Sequence, residues 1–366
     1  MVEYAYKTVE DRLRGIYSRA VVKYPWISGG DDNLKVATWH GGTEFTIDEV
    51  ADPAPGPEDV IVEVEAVGVC GTDVHITKGL FPSVPPKVLG HEFGGKIVAV
   101  GTSVDAARVG QDVACDITSH CFECVECLDG RWNRCERSTD SSGAFAQFAV
   151  VPSSSAVEIP ATLGVEDAAL TEPASCCLSG IEMCGLTGGE SVLVIGGGAM
   201  GLFTMAFAKL AGAETVILSD PIPERRAMAM QLGADVVHDP GDSDISELVA
   251  DLTNGRGVHL AAEAVGSPSL VRLALDQTRP RGTLLLIGVS PRGTRLPVDL
   301  YDFQWRETVI RGAFGRGTAY ARTPTALADL NLDGFISHRH GLDGVADAIA
   351  ATGSGIGVKT VIRPND

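Results

Sequence analysis

The sequence predicts two architectures in one chain, an all-β barrel-like domain and an α/β domain built on a doubly wound parallel sheet. Two observations carry that prediction. From residue 35 to about 165, short strands rich in Val and Ile are separated by Gly and Pro turns, the texture of a barrel or sandwich. From about 166 the pattern changes to strands alternating with helices, which implies right-handed βαβ units. With 366 residues and 45% hydrophobic composition, the chain is long enough for about two cored domains.

Residues 1–34 form an N-terminal extension. It holds Tyr4, Tyr6, Tyr17 and Tyr24, four of the six tyrosines, together with Trp26. Disordered tails are poor in aromatics, so an amphipathic helix over Val9–Val22, packed on the body or on a neighbouring subunit, is expected. A partly ordered arm is the alternative. The extension has charged residues from Glu3 to Arg14 and no apolar core segment, unlike a signal peptide.

The first domain, 35–165, opens with a strand at Leu34–Trp39 and a turn at Gly41-Gly42, followed by strands over Asp59–Val69, Gly94–Val100 and Ala144–Val151. Within it, 115–137 is a cysteine-bearing lobe. The second domain, 166–315, begins with helical periodicity near Asp167. Strands then follow at Val192–Ile195, Thr215–Leu218, Val236-Val237, Leu260–Val265 and Thr283–Gly288, with helices between them. Residues 316–366 are expected to return to the first domain with a helix and a closing strand over Gly357–Ile362.

The formal charge of -19 works against nonspecific contact with nucleic acid or membrane surfaces. No apolar run is long enough to span a bilayer. A cytoplasmic protein acting on a small molecule is therefore expected, with neither nucleic acid nor membrane as partner.

Cys121, Cys124, Cys127 and Cys135 follow C-x2-C-x2-C-x7-C, with Gly130 supplying a turn. Four thiolates at this spacing can wrap one tetrahedral Zn2+ and leave no open position, so the site reads as structural. An iron–sulfur cluster uses related spacings. Buried cysteines serving only as small side chains fit poorly among Glu123, Glu126, Asp129 and Arg131.

Gly196, Gly198 and Gly201 satisfy G-x-G-x-x-G, with Ala199 and Met200 filling the turn, after a strand and before a helix. The first glycine makes the turn, the second admits a pyrophosphate, and the third lets helix and strand pack closely. Asp220 ends the next strand, 19 residues beyond Gly201. A carboxylate there accepts hydrogen bonds from ribose hydroxyls and repels a 2′-phosphate, which favours NAD over NADP. Arg225 and Arg226 lie close enough in sequence to offset a phosphate charge. Glycines serving only a turn in a nucleotide-free domain are the bland alternative.

Cys70-Gly71-Thr72-Asp73-Val74-His75 follows an apolar strand, Gly90-His91-Glu92-Phe93-Gly94-Gly95 comes next, and Leu170-Thr171-Glu172-Pro173 follows later. Thiolate, imidazole and carboxylate are the ligand chemistries that suit a catalytic Zn2+. Read alone, His91 is equally a hydrogen-bonded structural histidine and Glu172 a helix-end carboxylate.

Taken together, the Cys-Gly-Thr-Asp-x-His and Gly-His-Glu-x-x-Gly motifs, the four-cysteine lobe and the glycine turn resemble the zinc-containing medium-chain dehydrogenase/reductases. The resemblance covers about 35–363 and is to the branch of sorbitol and other polyol dehydrogenases, with L-threonine dehydrogenases nearby. It implies a GroES-like catalytic domain interrupted by a Rossmann cofactor domain, with the active site in the cleft between them. It implies that Cys70, His91 and Glu172 hold a catalytic zinc, with Glu92 beside the metal and able to ligate it. Cys176 and Cys177 lie near Glu172 in sequence but are read as a buried helix face. Thr72 matches the hydroxyl beside the substrate oxygen and His75 the imidazole that passes the proton outward. Gly288, Val289 and Ser290 are expected to line the nicotinamide pocket. Phe81 and Pro82, in the loop between Val74 and Pro86, are expected to wall the substrate pocket.

The implied activity is NAD-linked interconversion of a secondary alcohol (a polyol, cyclitol or sugar-like molecule) and its ketone. L-threonine or a short diol is the alternative within the class, and a noncatalytic zinc- or nucleotide-binding module the alternative outside it. The family implies a homodimer or homotetramer joined through cofactor domains, a pairing that the apolar strand Thr283–Ile287 permits without choosing between the two.

Overall fold

Strand Asp59–Gly68 is the spine of the first unit because its sequence alternates Val and Ile with acidic residues, burying Val60, Val62 and Val64. A computed structural model describes residues 33–366; the extension, including the helix expected over Val9–Val22, otherwise lies outside the described residues. Antiparallel partners flank the spine on both sides. The resulting seven-stranded sheet runs Ala156–Glu158, Asp112–Asp116, Glu92–Val100, Asp59–Gly68, Lys359–Arg363 and Ile336–Gly341, with Phe148–Pro152 also pairing to the spine. A second sheet joins Glu44–Ala51, Asn33–Gly41 and Lys87–Val88. Phe93, Ile97, Phe145 and Ile362 fill the core with the spine valines.

The parallel-sheet unit orders its strands Val236–His238, Thr215–Ser219, Ser191–Ile195, Val258–Glu263, Thr278–Leu286 and Val309–Gly312. Every pairing is parallel. The chain starts in the middle, winds to one edge and then returns to build the other half. That order is the doubly wound nucleotide-binding topology. Leu193, Ile217, Ala261 and Leu284 sit in its core, as expected of strands covered on both faces. Pro223 occupies the first turn of helix Pro223–Gln231, where its missing N–H costs nothing, and the Asp244 carboxylate accepts from Ser246 N–H to start Ile245–Thr253.

The chain divides after Glu172 and again before Ile336, later than the limits of 165 and 315 expected from its changes of pattern. Residues 316–335 stay with the parallel sheet for a packing reason. Phe335 is fully buried and stacks on Phe203 at 4.5 Å between centroids. The Gln231 side chain also donates to the Asn331 and Asp333 carbonyls. Nothing in the periodicity of 316–335 says which core it will join. The strand expected over Ala144–Val151 forms only at Phe148–Pro152, because Phe145 instead bonds to Leu89 and Ala37 through its backbone.

Candidate functional site

The spine strand ends at Gly68, and the chain turns at Cys70 into helix Gly71–Thr77. Asp73 fixes that turn: its Oδ2 accepts from the Cys70 N–H at 2.9 Å. Thr72 and His75 then lie three residues apart, one above the other on a helix face, while Val74 and Ile76 anchor the buried side. Cys70 Sγ and Thr72 Oγ1 stand 3.5 Å apart. Gly90, at φ +90°, admits the sharp bend before His91; a side chain there would strike Phe145 and Val67.

Cys70, His91 and Glu92 offer ligand atoms that all lie within 4.8 Å of one another. One sulfur, one imidazole nitrogen and one carboxylate oxygen form a donor set suited to Zn2+. A second observation fits an ion here. Asp73 Oδ1 is buried with no hydrogen bond, 3.8 Å from His91 Nδ1, the placement of a carboxylate that orients a metal-binding histidine. Burial works against a charged His91, yet Cys70, Asp73 and Glu172 together hold its pKa well above the usual value. Burial likewise pushes the Cys70 thiol up. A divalent cation would relieve this crowding of acidic groups.

Glu172 is buried in the first turn of helix Thr171–Cys184. It acts on the charge of His91 and of Lys359 but stands outside the tight Cys70–His91–Glu92 group. Lys359 and Asp73 are the members that sequence reasoning missed. The Lys359 ammonium is paired with Glu92 and donates to the Val69 carbonyl at 3.1 Å. Burial opposes its charge, but Glu92 and Cys70 more than restore it, so its pKa is raised.

The lobe gathers Cys121, Cys124, Cys127 and Cys135 as the spacing implies. Their sulfurs are 3.5, 3.9 and 4.0 Å apart along three edges. A tetrahedron with Zn–S distances of ~2.3 Å has edges of about 3.8 Å, so the lobe has the size of a zinc tetrathiolate. Phe122 and Gly130 take left-handed conformations at its bends, with φ of 55° and 75°. N–H groups of Cys121 and Cys124 point at sulfurs at 3.4 Å. Backbone N–H bonds, that of Glu123 foremost, lower the Cys121 thiol to about 6. None of the nine cysteines is in a disulfide.

In the other unit, Gly196 turns the chain at φ +100°. A Cβ on Gly201 would collide with the Gly196 carbonyl, whereas one on Gly198 would meet nothing within 4 Å. That open space lies before the N-terminus of helix Ala199–Leu210, where Ala199 and Met200 begin the first turn, and backbone N–H groups there suit a pyrophosphate. Asp220 Oδ2 accepts from Gly197 N–H at 2.6 Å and Oδ1 from Ile222 N–H at 2.8 Å. Arg225 reaches Asp220 Oδ2 at 3.7 Å. Glu263, fully buried, accepts from the N–H groups of Val265, Gly266 and Ser267. A Cβ on Gly288 would strike that loop, and the Val289 side chain beyond it is 74% exposed. Ser290 follows directly. Glu263 gave no signal in the sequence, where it lies inside the strand expected over Leu260–Val265; the strand in fact ends at Glu263.

Two family models match the chain: the alcohol dehydrogenase GroES-like domain over residues 56–161 and the zinc-binding dehydrogenase over 199–331. The chain is 33% identical to an L-threonine 3-dehydrogenase of Thermococcus kodakarensis over 331 residues, covering 87% of this chain and 94% of that protein. It belongs to the zinc-containing medium-chain dehydrogenase family. A sorbitol dehydrogenase of Bacillus subtilis is another member at 32% identity, over 87% of this chain and 93% of its own. A zinc-binding dehydrogenase of Sinorhizobium meliloti, solved with NADP bound, shares the fold at a TM-score of 0.86 and 34% identity, over 91% of this chain and 100% of that one. This medium-chain dehydrogenase is a zinc-dependent, NAD(P)-linked oxidoreductase of secondary alcohols and ketones. Among the described residues, no helix is long and apolar enough to cross a membrane.

Proposed function

We propose that this dehydrogenase oxidises a secondary hydroxyl of an uncharged, hydroxylated substrate, a polyol, cyclitol or sugar-like alcohol, with NAD as acceptor. The observation that carries the reading is the loop after helix Gly71–Thr77. Residues 79–86 contain no charged side chain. The loop is tied back by bonds from the Leu80 and Phe81 N–H groups to the His75 carbonyl. Leu80 and Val84 are 71% and 74% exposed. As a wall of the substrate site, this loop would offer no charge to an amino acid's ammonium and carboxylate, which argues for an uncharged alcohol. L-threonine is the second reading, favoured by the Thermococcus relative.

Cys70, His91 and Glu172 are the residues that would hold the catalytic zinc, with Glu92 beside it, and the four lobe cysteines the structural one. When bound there, zinc would supply a Lewis acid for the substrate oxygen and the nicotinamide a hydride acceptor. Thr72, beside the Cys70 sulfur, would take the substrate hydroxyl proton while passing its own, by way of the cofactor ribose, to His75, which is half-buried and would release it toward solvent. Gly198 would leave room for the pyrophosphate, with Gly196 making the turn and Gly201 the close packing that hold it open. Asp220 takes the ribose hydroxyls, and Gly288, Val289 and Ser290 border the nicotinamide.

The protein is cytoplasmic and homo-oligomeric in this reading. Thr283–Ile287 cannot serve the pairing that its sequence permits, since strand Thr278–Leu286 already has a partner on each side. The edge strand Val309–Gly312 is exposed throughout and takes that role, because unpaired backbone groups there can continue a sheet.

The test is initial-rate NAD reduction with zinc across polyols, inositols, amino-cyclitols, threonine and short diols, with NADP as control. A polyol or cyclitol with kcat/KM of ~10^4 M^-1 s^-1 or more supports the proposal. Preference for threonine would replace it with the second reading.

A further inference from the structure

Strands Thr215–Ser219 and Val236–His238 run parallel until Ser219 stands opposite His238. Both then leave the sheet at its carboxyl edge, where doubly wound folds take their ligands. Asp220 is the first residue beyond one strand and Asp239 the first beyond the other. The Asp220 N–H still donates to the His238 carbonyl at 3.1 Å. Its own carbonyl is past the ladder and, in a residue 4% exposed, requires a donor. Arg226 provides it. Its Nη1 donates to the Asp220 carbonyl at 2.7 Å and its Nη2 to Asp239 Oδ2 at 2.8 Å. Asp239 is held in turn, with Oδ1 accepting from the Gly241 N–H at 2.8 Å. The reach follows from the helix: Arg226 lies near the start of Pro223–Gln231, and helical side chains lean toward the N-terminus, back over the residues that precede it.

The two neighbouring arginines are therefore divided in role. Arg225 faces the Asp220 carboxylate, 3.7 Å from Oδ2. Arg226 has both Nη atoms engaged by the protein and grips the main chain that carries that carboxylate. With the Gly197 and Ile222 N–H groups on its two oxygens, Asp220 is fixed through main chain and side chain alike. We propose that Arg226 is a positioning residue of the cofactor site: it enforces the preference for NAD by holding Asp220 in place, and does not serve as a counter-charge for a 2′-phosphate. The inference rests on the ribose assignment of Asp220 given above.

Arg226→Lys keeps the positive charge, but a single ammonium cannot lace two acceptors as the fork of a guanidinium does. Calorimetry on the purified zinc-loaded enzyme, with ADP-ribose and its 2′-phosphate as ligands, reads the effect without turnover. The Kd for ADP-ribose should rise about tenfold, the scale of one charge-assisted hydrogen bond. That for the 2′-phosphate should rise less, so that discrimination narrows. In turnover, KM for NAD should rise with kcat unchanged. Arg226→Lys indistinguishable from wild type, or losing the 2′-phosphate at least as much as ADP-ribose, overturns the proposal. So does a kcat that falls in step with the rise in KM, the mark of a loosened domain. Should that variant fail to fold, Arg226→Met combined with Asp239→Asn, which removes the pair at constant net charge, decides by the same readings. Asp220→Asn without effect on either Kd defeats the ribose assignment and this inference together. Asp220→Asn that shifts the two Kd values where Arg226→Lys does not defeats this inference alone.

Discussion

Asp73 Oδ1 faces His91 Nδ1 at 3.8 Å while Asp73 Oδ2 holds the Cys70 N–H, so one carboxylate braces two proposed zinc ligands. Asp73→Asn keeps the shape but removes the charge that would orient the imidazole. Catalytic-zinc affinity should fall by about ten- to a hundredfold, with the metal of the cysteine lobe retained. Metal content after graded dialysis against chelator reads both sites at once. Equal retention of both metals by the variant would deny Asp73 this role.

The lobe should respond differently. Cys124→Ser breaks the tetrathiolate without touching Cys70 or His91, and its metal organises a segment with little regular structure, two short strands and two single turns. One zinc per chain should be lost, and proteolysis within the lobe should speed up well before turnover declines. Activity lost in step with the metal, in a chain still intact, would mean the lobe serves the chemistry directly.

These two predictions draw on features that were unequally legible in the sequence. The lobe and the glycine turn are local: their ligands and bends lie within a few residues, so spacing alone carries the geometry. Cys70 and His91 were legible through their motifs. Lys359 was not, because it meets Glu92 from 267 residues away, and a lysine near the start of a strand gives no sign that it will be buried. Asp73 sat inside a quoted motif, but sequence gives no direction for its second oxygen. The order of the parallel sheet was not legible either: apolar Leu284 and Leu285 are fully buried in an interior strand, while the exposed edge at Val309–Gly312 is too short and mixed to announce itself.

In the proposed cofactor site, Asp220 and Arg225, 3.7 Å apart, would together set the preference between the two nicotinamide cofactors. The carboxylate is already held by two backbone N–H groups, so its charge stays fixed where a 2′-phosphate would lie. Asp220→Asn should raise kcat/KM for NADP relative to NAD by at least about tenfold, since a like-charge contact costs several kcal/mol. Arg225→Ala should move the ratio the other way. Steady-state rates with both cofactors measure it, and a ratio indifferent to Asp220→Asn would remove that residue from the ribose site.

Glu166 ties the returning C-terminal strands to the catalytic unit. Its Oε1 accepts from Arg339 Nε at 2.8 Å and Arg363 Nε at 2.9 Å, and its Oε2 from Arg339 Nη2 at 2.7 Å. Partial burial pushes its pKa up, but the bonds from Arg339 and then Arg363 outweigh this and hold it below the usual carboxylate range. A depressed folded pKa means stability present above the unfolded value of about 4.3 and lost as pH falls through the folded one. Glu166→Gln should therefore destabilise this unit by about 1 kcal/mol at pH 7, a charged hydrogen bond reduced by solvent screening at the partly exposed arginines. The gap from wild type should narrow below pH ~4.3 and close once the native carboxylate is protonated. Two units need not unfold together, so amide exchange in strand Lys359–Arg363 is the proper readout, extended to acid pH by urea melts. A gap that stays constant from neutral to acid pH would show that Glu166 acts there by packing and not by charge.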